Sequence, residues 1–197
     1  GFEPCYVNSR LVSRGIPVSC EGDVPGALSM LLARELSDCK PMLMDMVAMD
    51  AEADVISFWH CGMGLPCYAD SQGFSVTQYP ADPRVFELPG ASLDIKFAPQ
   101  DVTILRLDGK CSQLLVCEAQ IVPGPDRGYD GARGWYSHFT MDGKALSCVD
   151  FLNTVLSYGA PHHYVICPGH MEAVAREFAV RQGLTLVKPE PYTDGLR

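Results

Sequence analysis

The chain has 197 residues, 47% of them hydrophobic, which is enough for one folded core or for one domain with a piece of another. Its formal net charge of -9, with Lys and Arg scattered singly, argues against binding to nucleic acid or to an acidic lipid surface, since both need a basic face. Apolar runs are all shorter than the roughly 18 residues that a membrane span requires, so we expect no membrane partner.

The cysteines suggest a reducing environment. All nine lie outside C-x-x-C pairs and zinc-finger spacings. Several occur in apolar runs, such as Cys117 in LLVCEAQIV and Cys167 in YVIC, where a reduced thiol behaves as a small hydrophobe. This pattern favours reduced thiols over a disulfide framework and predicts a cytoplasmic protein. The first residues, GFEPCYVNSR, contain neither an initiator Met nor a signal peptide, so we expect a fragment or a processed chain.

The N-terminal part is expected to begin with loose structure over residues 1–20, leading into a short strand, GIPVSC. A helix is then predicted from Asp23 to about residue 37. Asp23 can cap it, Pro25 suits its first turn, and the apolar residues that follow recur at helical spacing.

Strands dominate the middle of the predicted fold. Two buried strands are expected in PMLMDMVAM, apolar except for Asp45, and in DVISFWH, which ends at His60. Residues 61–92 are rich in Gly, Pro and polar side chains, which predicts long loops with short strands. A hairpin is predicted where DVTILRL and SQLLVCEAQIV flank the turn DGK, and a further strand in WYSHFTM.

The C-terminal part alternates helix and strand. A helix is predicted in CVDFLNTVLSYG, ending at Gly159, and another in GHMEAVAREFAVRQG, ending at Gly183. Strands are predicted in HYVIC and LTLV. A strand–helix unit at each end therefore brackets a central set of antiparallel strands. This order predicts an α+β fold around a sheet or small barrel, rather than a doubly wound parallel sheet.

Carboxylates that could carry chemistry occur at two places. Glu21 and Asp23 lie at the junction between a strand and a helix, where ligands often bind; Asp23 is expected to cap the helix, and Glu21 is either a ligand or solvated surface. Asp45 is a lone carboxylate in an apolar strand. Its carboxylate must be paired, protonated or bound to a metal, unless one face of that strand is exposed to solvent.

Three histidines are further candidates. His60 ends a strand and is either a core residue or a ligand. His162 and His163 are adjacent at the start of a strand, where neighbouring side chains point to opposite faces, so we expect only one to face a given pocket. Two carboxylates and an imidazole would suit Mn²⁺ or Mg²⁺ better than zinc or copper if they converge.

Four segments together resemble the C-terminal part of the L-fucose isomerase-like family, which is related to L-arabinose isomerase: CEGDVPGALSMLL, DMV, FWHCG and GAPHHYV. Their order covers nearly the whole chain, and the combination is more specific than any one of them. The resemblance implies that residues 1–40 are the tail of a middle α/β domain and carry one metal ligand. Residues 41–197 would then form an antiparallel β-barrel-like C-terminal domain with flanking helices.

The resemblance also implies a metal site. By motif position, Mn²⁺ would be held by Glu21, Asp45 and His163, with Mg²⁺ as the alternative ion. The implied reaction is aldose–ketose isomerisation through an enediolate, with Glu21 and Asp45 moving the proton between C1 and C2. The alternative is a non-catalytic sugar- or metal-binding module that has kept the fold.

The implied substrate is a small-molecule sugar, whose identity the resemblance leaves open. Substrate-binding roles are expected for His60, for Trp135 as an aromatic that stacks on the sugar, and for His162, which would point away from the metal or toward the sugar. Members of the family form trimers or hexamers, so we expect a homo-oligomer.

Overall fold

The computed structural model describes residues 4–78, 90–125 and 130–193, which form four helices and a ten-stranded sheet. The helices are α1 (Cys5–Ser13), α2 (Val24–Leu36), α3 (Cys148–Tyr158) and α4 (Glu172–Gln182). The strands are β1 (Met42–Asp50), β2 (Val55–His60), β3 (Ala69–Gln78), β4 (Ala91–Phe97), β5 (Gln100–Leu107), β6 (Gln113–Val122), β7 (Ala132–Met141), β8 (Lys144–Leu146), β9 (His163–Pro168) and β10 (Thr185–Leu186).

The sheet is partly ring-like. Strands β6, β5, β9, β1, β2 and β7 pair in that order, and β7 pairs again with β6. The strands β3, β4, β8 and β10 lie outside this ring, so the sheet is not a closed barrel. All pairings are antiparallel except β4 with β7 and β10 with β6. The predicted α+β class, with a mainly antiparallel sheet and flanking helices, is confirmed.

Aromatic side chains fill the inside of the ring. Phe58 on β2 packs edge-to-face against Tyr136 on β7 and Tyr164 on β9, with ring centroids 4.8 and 5.7 Å apart. Phe151 of α3 stacks on Phe139 of β7 at 4.7 Å, which holds that helix on the sheet. A second apolar cluster lies beneath α2 and α4 and includes Leu32, Leu105, Val116, Ala175 and Ala179. The helices therefore cover the sheet where its side chains are apolar.

The predicted start of α2 after Asp23 and the predicted ends of α3 and α4 at Gly159 and Gly183 are confirmed, whereas α4 begins at Glu172, later than predicted. Asp23 caps α2 by accepting a hydrogen bond of 2.9 Å from the N–H of Gly26. Ser147 and Asp150 form a reciprocal capping box at the start of α3, and Gly159 ends that helix with a left-handed φ of 69°.

The N-terminal segment differs from the prediction. Helix α1 occupies Cys5–Ser13, where loose structure was expected, and GIPVSC forms no strand. Cys5, Ser9 and Val12 are the buried residues of α1, and the Ser9 hydroxyl accepts a hydrogen bond from the N–H of Gly64. The helix was missed because its buried face consists largely of small and polar residues. Both α1 and α2 pack on the sheet, and the proposed division at residue 40 stays a prediction.

The segment between β2 and β5 is more ordered than its Gly and Pro content predicted. Strand β3 is ten residues long, and β4 pairs with it from Ala91 to Phe97. The rest of the expected loop, residues 79–89, lies outside the described residues. Strand β4 was missed because its short alternation, ASLDIKF, stands between segments with turn composition.

One cysteine pair departs from the expectation of reduced thiols. Cys39 and Cys167 form a disulfide between the segment after α2 and strand β9, with their Cα atoms 6.2 Å apart. The other seven cysteines form no disulfide, and burial raises the pKa of the Cys117 thiol far above its ordinary value. Cys167 was expected to be a buried reduced thiol and is instead bonded to Cys39. Among the described helices, none has the length and apolar character to cross a membrane.

Candidate metal centre

The paired strands β1 and β9 bring Asp45 and His163 together. The two residues are direct partners in the antiparallel ladder, so their side chains lie on the same face. The loop before α2 approaches from above this pair and adds Glu21 and Asp23. The segment just before β9 adds His162. Five side chains from three separate parts of the chain thus form one cluster.

Glu21 reaches the cluster from a strained turn. Its φ is 55°, and that of the next residue, Gly22, is 71°, so two left-handed residues follow one another. A non-glycine residue rarely adopts this conformation, and it persists where the surrounding structure imposes it. The Glu21 side chain is 66% exposed, and its Oε2 lies 3.4 Å from Nε2 of His162. The strain therefore presents a carboxylate to the cluster at a cost in stability.

This strain predicts opposite effects at two neighbouring positions. Glu21→Gly should raise the free energy of unfolding by about 1 kcal/mol, because glycine adopts a positive φ without steric cost. Gly22→Ala should lower it by a similar amount, since a Cβ there meets no other atom and only the backbone strain counts. Urea denaturation of both variants measures the difference. A loss of stability in Glu21→Gly would contradict the assignment of strain to Glu21.

His162 and His163 both face the cluster, which corrects the expectation that only one would do so. Strand β9 begins at His163, so His162 lies outside the strand and the alternation of side chains does not apply to it. The two imidazole centroids are 4.1 Å apart. Nε2 of His162 lies 3.5 Å from Oδ1 of Asp45, in addition to its contact with Glu21.

His163 is held between two carboxylates. Its Nδ1 lies 3.1 Å from Oδ2 of Asp23, and its Nε2 lies 3.2 Å from Oδ1 of Asp45. Burial alone would lower the pKa of His163, but the hydrogen bonds and charges of Asp45 and Asp23 outweigh it, so the pKa is raised. A neutral imidazole carries one N–H, so it can donate to only one of these carboxylates. The geometry therefore calls for a proton or a cation between His163 and the second carboxylate.

Asp23 and Arg106 support the cluster from behind, and neither was predicted to belong to it. Arg106 on β5 is 1% exposed at its side chain and binds both carboxylate oxygens of Asp23, at 2.6 and 2.8 Å. Burial raises the pKa of Asp23, but Arg106 and the N–H of Gly26 outweigh it, so the pKa is lowered. Arg106 is the charged residue within the apolar run VTILRL of β5, which is the same kind of signal that singled out Asp45.

The donor atoms lie near the spacing that a divalent cation would need, and a small inward shift of the exposed Glu21 side chain would bring them within it. One ligand atom each from Glu21, His162 and His163 lies within 4.8 Å of the others, and Oδ1 of Asp45 lies 3.2–3.5 Å from both imidazoles. The ligands of an octahedral ion bound at about 2.1 Å are separated by about 3 Å when adjacent and about 4 Å when opposite. Carboxylate and imidazole donors suit Mn²⁺ or Mg²⁺. Glu21 and Asp45, two of the three ligands predicted by motif position, each lie near the third, His163, and the roles of all three stay predictions.

His60 lies on the other side of β2 from this cluster. It is buried, and its Nδ1 accepts hydrogen bonds from the N–H groups of Gly62 and Met63. Trp59, its neighbour in the strand, is the residue that pairs with Asp45. His60 thus shapes the loop after β2, and a role in binding substrate stays a prediction.

Trp135 borders a cavity of about 240 Å³ beside the cluster. Its indole N–H donates to the carbonyl of Pro125, which fixes the ring against the loop after β6. Trp59, Lys96 and Arg133 line the same cavity. A stacking role for Trp135 stays a prediction, and the side chain does lie on the wall of a cavity.

No protein-family model matches the chain. Two proteins named sulfoquinovose isomerase, from Priestia aryabhattai and Priestia megaterium (strain ATCC 12872 / QMB1551), are each 34% identical over 109 residues, which cover 54% of this chain and 23% of the relative. A third of the same name, from Alkalicoccus urumqiensis, is 40% identical over 65 residues, or 32% of this chain and 15% of the relative. The resemblance to L-fucose isomerase stays a prediction. The similarity to the Priestia proteins covers about half of this chain and less than a quarter of the length of each relative.

Proposed function

We propose that the chain is the metal-binding part of an aldose–ketose isomerase that depends on Mn²⁺, with Mg²⁺ as the alternative ion. The observation that carries this proposal is the convergence of Glu21 and Asp45 with His162 and His163. The similarity to proteins named sulfoquinovose isomerase supports a sugar as the substrate. Sulfoquinovose is a hexose with a sulfonate on C6, and we propose it as the first substrate to assay.

The two carboxylates are suited to the proton transfer that isomerisation requires. An aldose becomes a ketose when a proton leaves C2 and another arrives at C1, so the site needs an acid and a base. Glu21 is exposed and can reach a bound sugar, and Asp45 lies beside it on β1, partly buried. A divalent cation bound here would supply Lewis-acid stabilisation of the negative charge that develops on the substrate oxygens.

Asp23 and Arg106 would hold the site in place during this reaction. Asp23 accepts from Nδ1 of His163, which leaves Nε2 directed toward Asp45. A carboxylate in this position orients a histidine ligand and selects its tautomer. Arg106 keeps Asp23 ionised through two hydrogen bonds. Neither residue needs to touch the sugar.

A Mn²⁺ titration of the chain and of two histidine variants tests the site. We expect His163→Gln to weaken Mn²⁺ binding by at least about tenfold, since it removes a nitrogen ligand together with its oriented hydrogen bonds. His162→Gln should weaken it less, because the His162 side chain is 59% exposed and its hydrogen-bond partners do not hold it as those of His163 do. The matched control is His170→Gln, because His170 also lies between two carboxylates, Asp101 and Glu118, and is outside the cluster. Isothermal calorimetry measures all four affinities.

The same titration separates the two proposed classes of function. Mn²⁺ binding together with conversion of sulfoquinovose to its ketose supports the isomerase. Mn²⁺ binding without turnover favours the non-catalytic module. Equal Mn²⁺ affinities for the chain and for His163→Gln would overturn the metal site itself.

A further inference from the structure

A row of four side chains runs across the sheet from the candidate metal centre into the cavity beside it. Asp45 pairs with Trp59, Trp59 pairs with Arg133, and Arg133 pairs with Lys96. Residues directly paired across neighbouring strands share a face of the sheet. Carboxylate, indole, guanidinium and ammonium groups therefore follow one another on one surface, across β1, β2, β7 and β4.

The cavity lies at the cationic end of this row. Trp59, Arg133 and Lys96 line it, together with Trp135, Ser57 and Asp70. The two indoles offer apolar surface to a sugar ring, and the hydroxyl of Ser57 adds a polar group. Lys96 and Arg133 are both basic and are direct neighbours across β4 and β7 on the wall of this cavity, where Asp70 also lies and Asp94 pairs with Arg133. Such a pair recognises an anion.

We propose that this cavity binds the anionic group, a sulfonate or a phosphate, of the sugar whose C1–C2 end lies at the metal centre. Lys96 and Arg133 would then make the site selective for anionic sugars. The inference rests on the proposed function and extends it from the reacting end of the sugar to its far end.

The dimensions of the row fit a hexose that carries an anion on C6. Neighbouring strands are about 4.8 Å apart, so the Cα atoms of Asp45 and Arg133 are separated by roughly 10 Å, and those of Asp45 and Lys96 by roughly 14 Å. A hexose with a sulfonate or phosphate on C6, together with the length of the Lys96 and Arg133 side chains, covers a distance of this order.

Arg133 is held in place through a single guanidinium nitrogen. Its Nη1 donates both to the Asp94 carboxylate and to the carbonyl of Gly131. A guanidinium has five N–H donors, so such an anchored arginine keeps donors for a second anion. Asp70 also lines the cavity, and its carboxylate accepts a hydrogen bond from the N–H of Gln72. Its negative charge opposes the binding of an anion on that side of the cavity. Lys96, exposed on β4, supplies the second positive charge.

Tryptophan fluorescence of the chain measures binding here without any need for turnover, because both of its tryptophans line the cavity. Four probes are titrated: sulfoquinovose, glucose 6-phosphate, quinovose (which lacks the anionic group) and inorganic sulfate as a competitor. We expect the two anionic sugars to bind more tightly than quinovose, and sulfate to compete with them. The comparison of sulfonate with phosphate identifies which anion the site prefers.

Lys96→Met should weaken binding of the preferred anionic sugar by about tenfold and leave quinovose unchanged, since it removes a charge-assisted hydrogen bond. Arg133→Lys keeps the charge and loses the forked geometry, so it should weaken binding less than Arg133→Met. The matched control is Lys110→Met, in the exposed turn between β5 and β6. Lys96→Met keeps the test informative if loss of the Asp94 pair unfolds the Arg133 variants.

Three results would overturn the inference: equal affinity for quinovose and the anionic sugars, an anion preference that is undiminished in Lys96→Met, or no change of emission with any sugar. Failure of the isomerase proposal is distinguishable from these. A chain that prefers anionic sugars through Lys96 but neither binds Mn²⁺ nor turns them over keeps the anion subsite and loses the proposed reaction.

Discussion

The proposed isomerase turnover is expected to fall by about a hundred- to ten-thousandfold when Glu21 is replaced by Gln, the range typical for loss of a group that transfers a proton. The amide keeps the size of the side chain but can neither accept the proton nor supply charge to a cation. The side chain is 66% exposed, so the free energy of unfolding should stay within about 0.5 kcal/mol of that of the parent chain. Conversion of sulfoquinovose to its ketose in the presence of Mn²⁺, followed by NMR, measures the loss.

The control for this substitution is Glu35→Gln, an exposed glutamate on α2 whose partner is the neighbouring Arg34. It makes the same chemical change away from the cluster, so turnover should be unaffected. Mn²⁺ affinity gives a second readout for Glu21→Gln and should fall by at least about tenfold, because a charged ligand is lost. Parental turnover in Glu21→Gln would show that the catalytic assignment is wrong.

The largest loss of stability is expected for Arg106→Met, at about 3–5 kcal/mol, because it leaves the Asp23 carboxylate without its buried partner. Asp23 is itself only 12% exposed at its side chain. The lowered pKa of Asp23 depends on Arg106, so its removal should raise that pKa toward the ordinary value or above. In the parent chain, the ionised Asp23 carboxylate adds stability at pH values above its unfolded-state pKa. That added stability is lost as the pH falls through its lower, folded-state pKa. Urea denaturation at several pH values measures both effects.

Arg181→Met is the matched control within the chain. Arg181 also pairs with a carboxylate, that of Glu177 one helical turn away, but its side chain is 73% exposed. An exposed pair at this spacing contributes about 0.5 kcal/mol or less, so the same substitution should have little effect. A loss in Arg106→Met as small as in Arg181→Met would contradict the buried charge pair.

Local signals in the sequence were sufficient for most elements. The cap at Asp23 and the left-handed Gly159 each act within a few residues, so they were read from a short window; the capping box of Ser147 is a local signal of the same kind that the prediction did not use. The strands around Asp45 and His60 were predicted for the same reason, since their apolar runs are continuous. Helix α1 was missed because its buried face includes Cys5 and Ser9, which carry no strong hydrophobic signal.

The cluster itself could be anticipated only in part. Asp45 and His163 were singled out as polar residues at apolar strands, but their meeting depends on the register between β1 and β9. The position of His162 depends on where β9 begins, a boundary that periodicity does not define to one residue. The pairing of Asp23 with Arg106 joins residues 83 positions apart, and capping alone had already explained Asp23.

The sequence by itself determined which segments become helices and strands and which few polar side chains stand against apolar runs, because propensity, capping and hydrophobic period act between near neighbours. The tertiary structure alone decided that both paired histidines turn to one cluster, that a buried arginine holds it from behind, and that Lys96 and Arg133 share a face with Asp45. These facts depend on strand order and register, which arise from contacts between residues far apart in the chain.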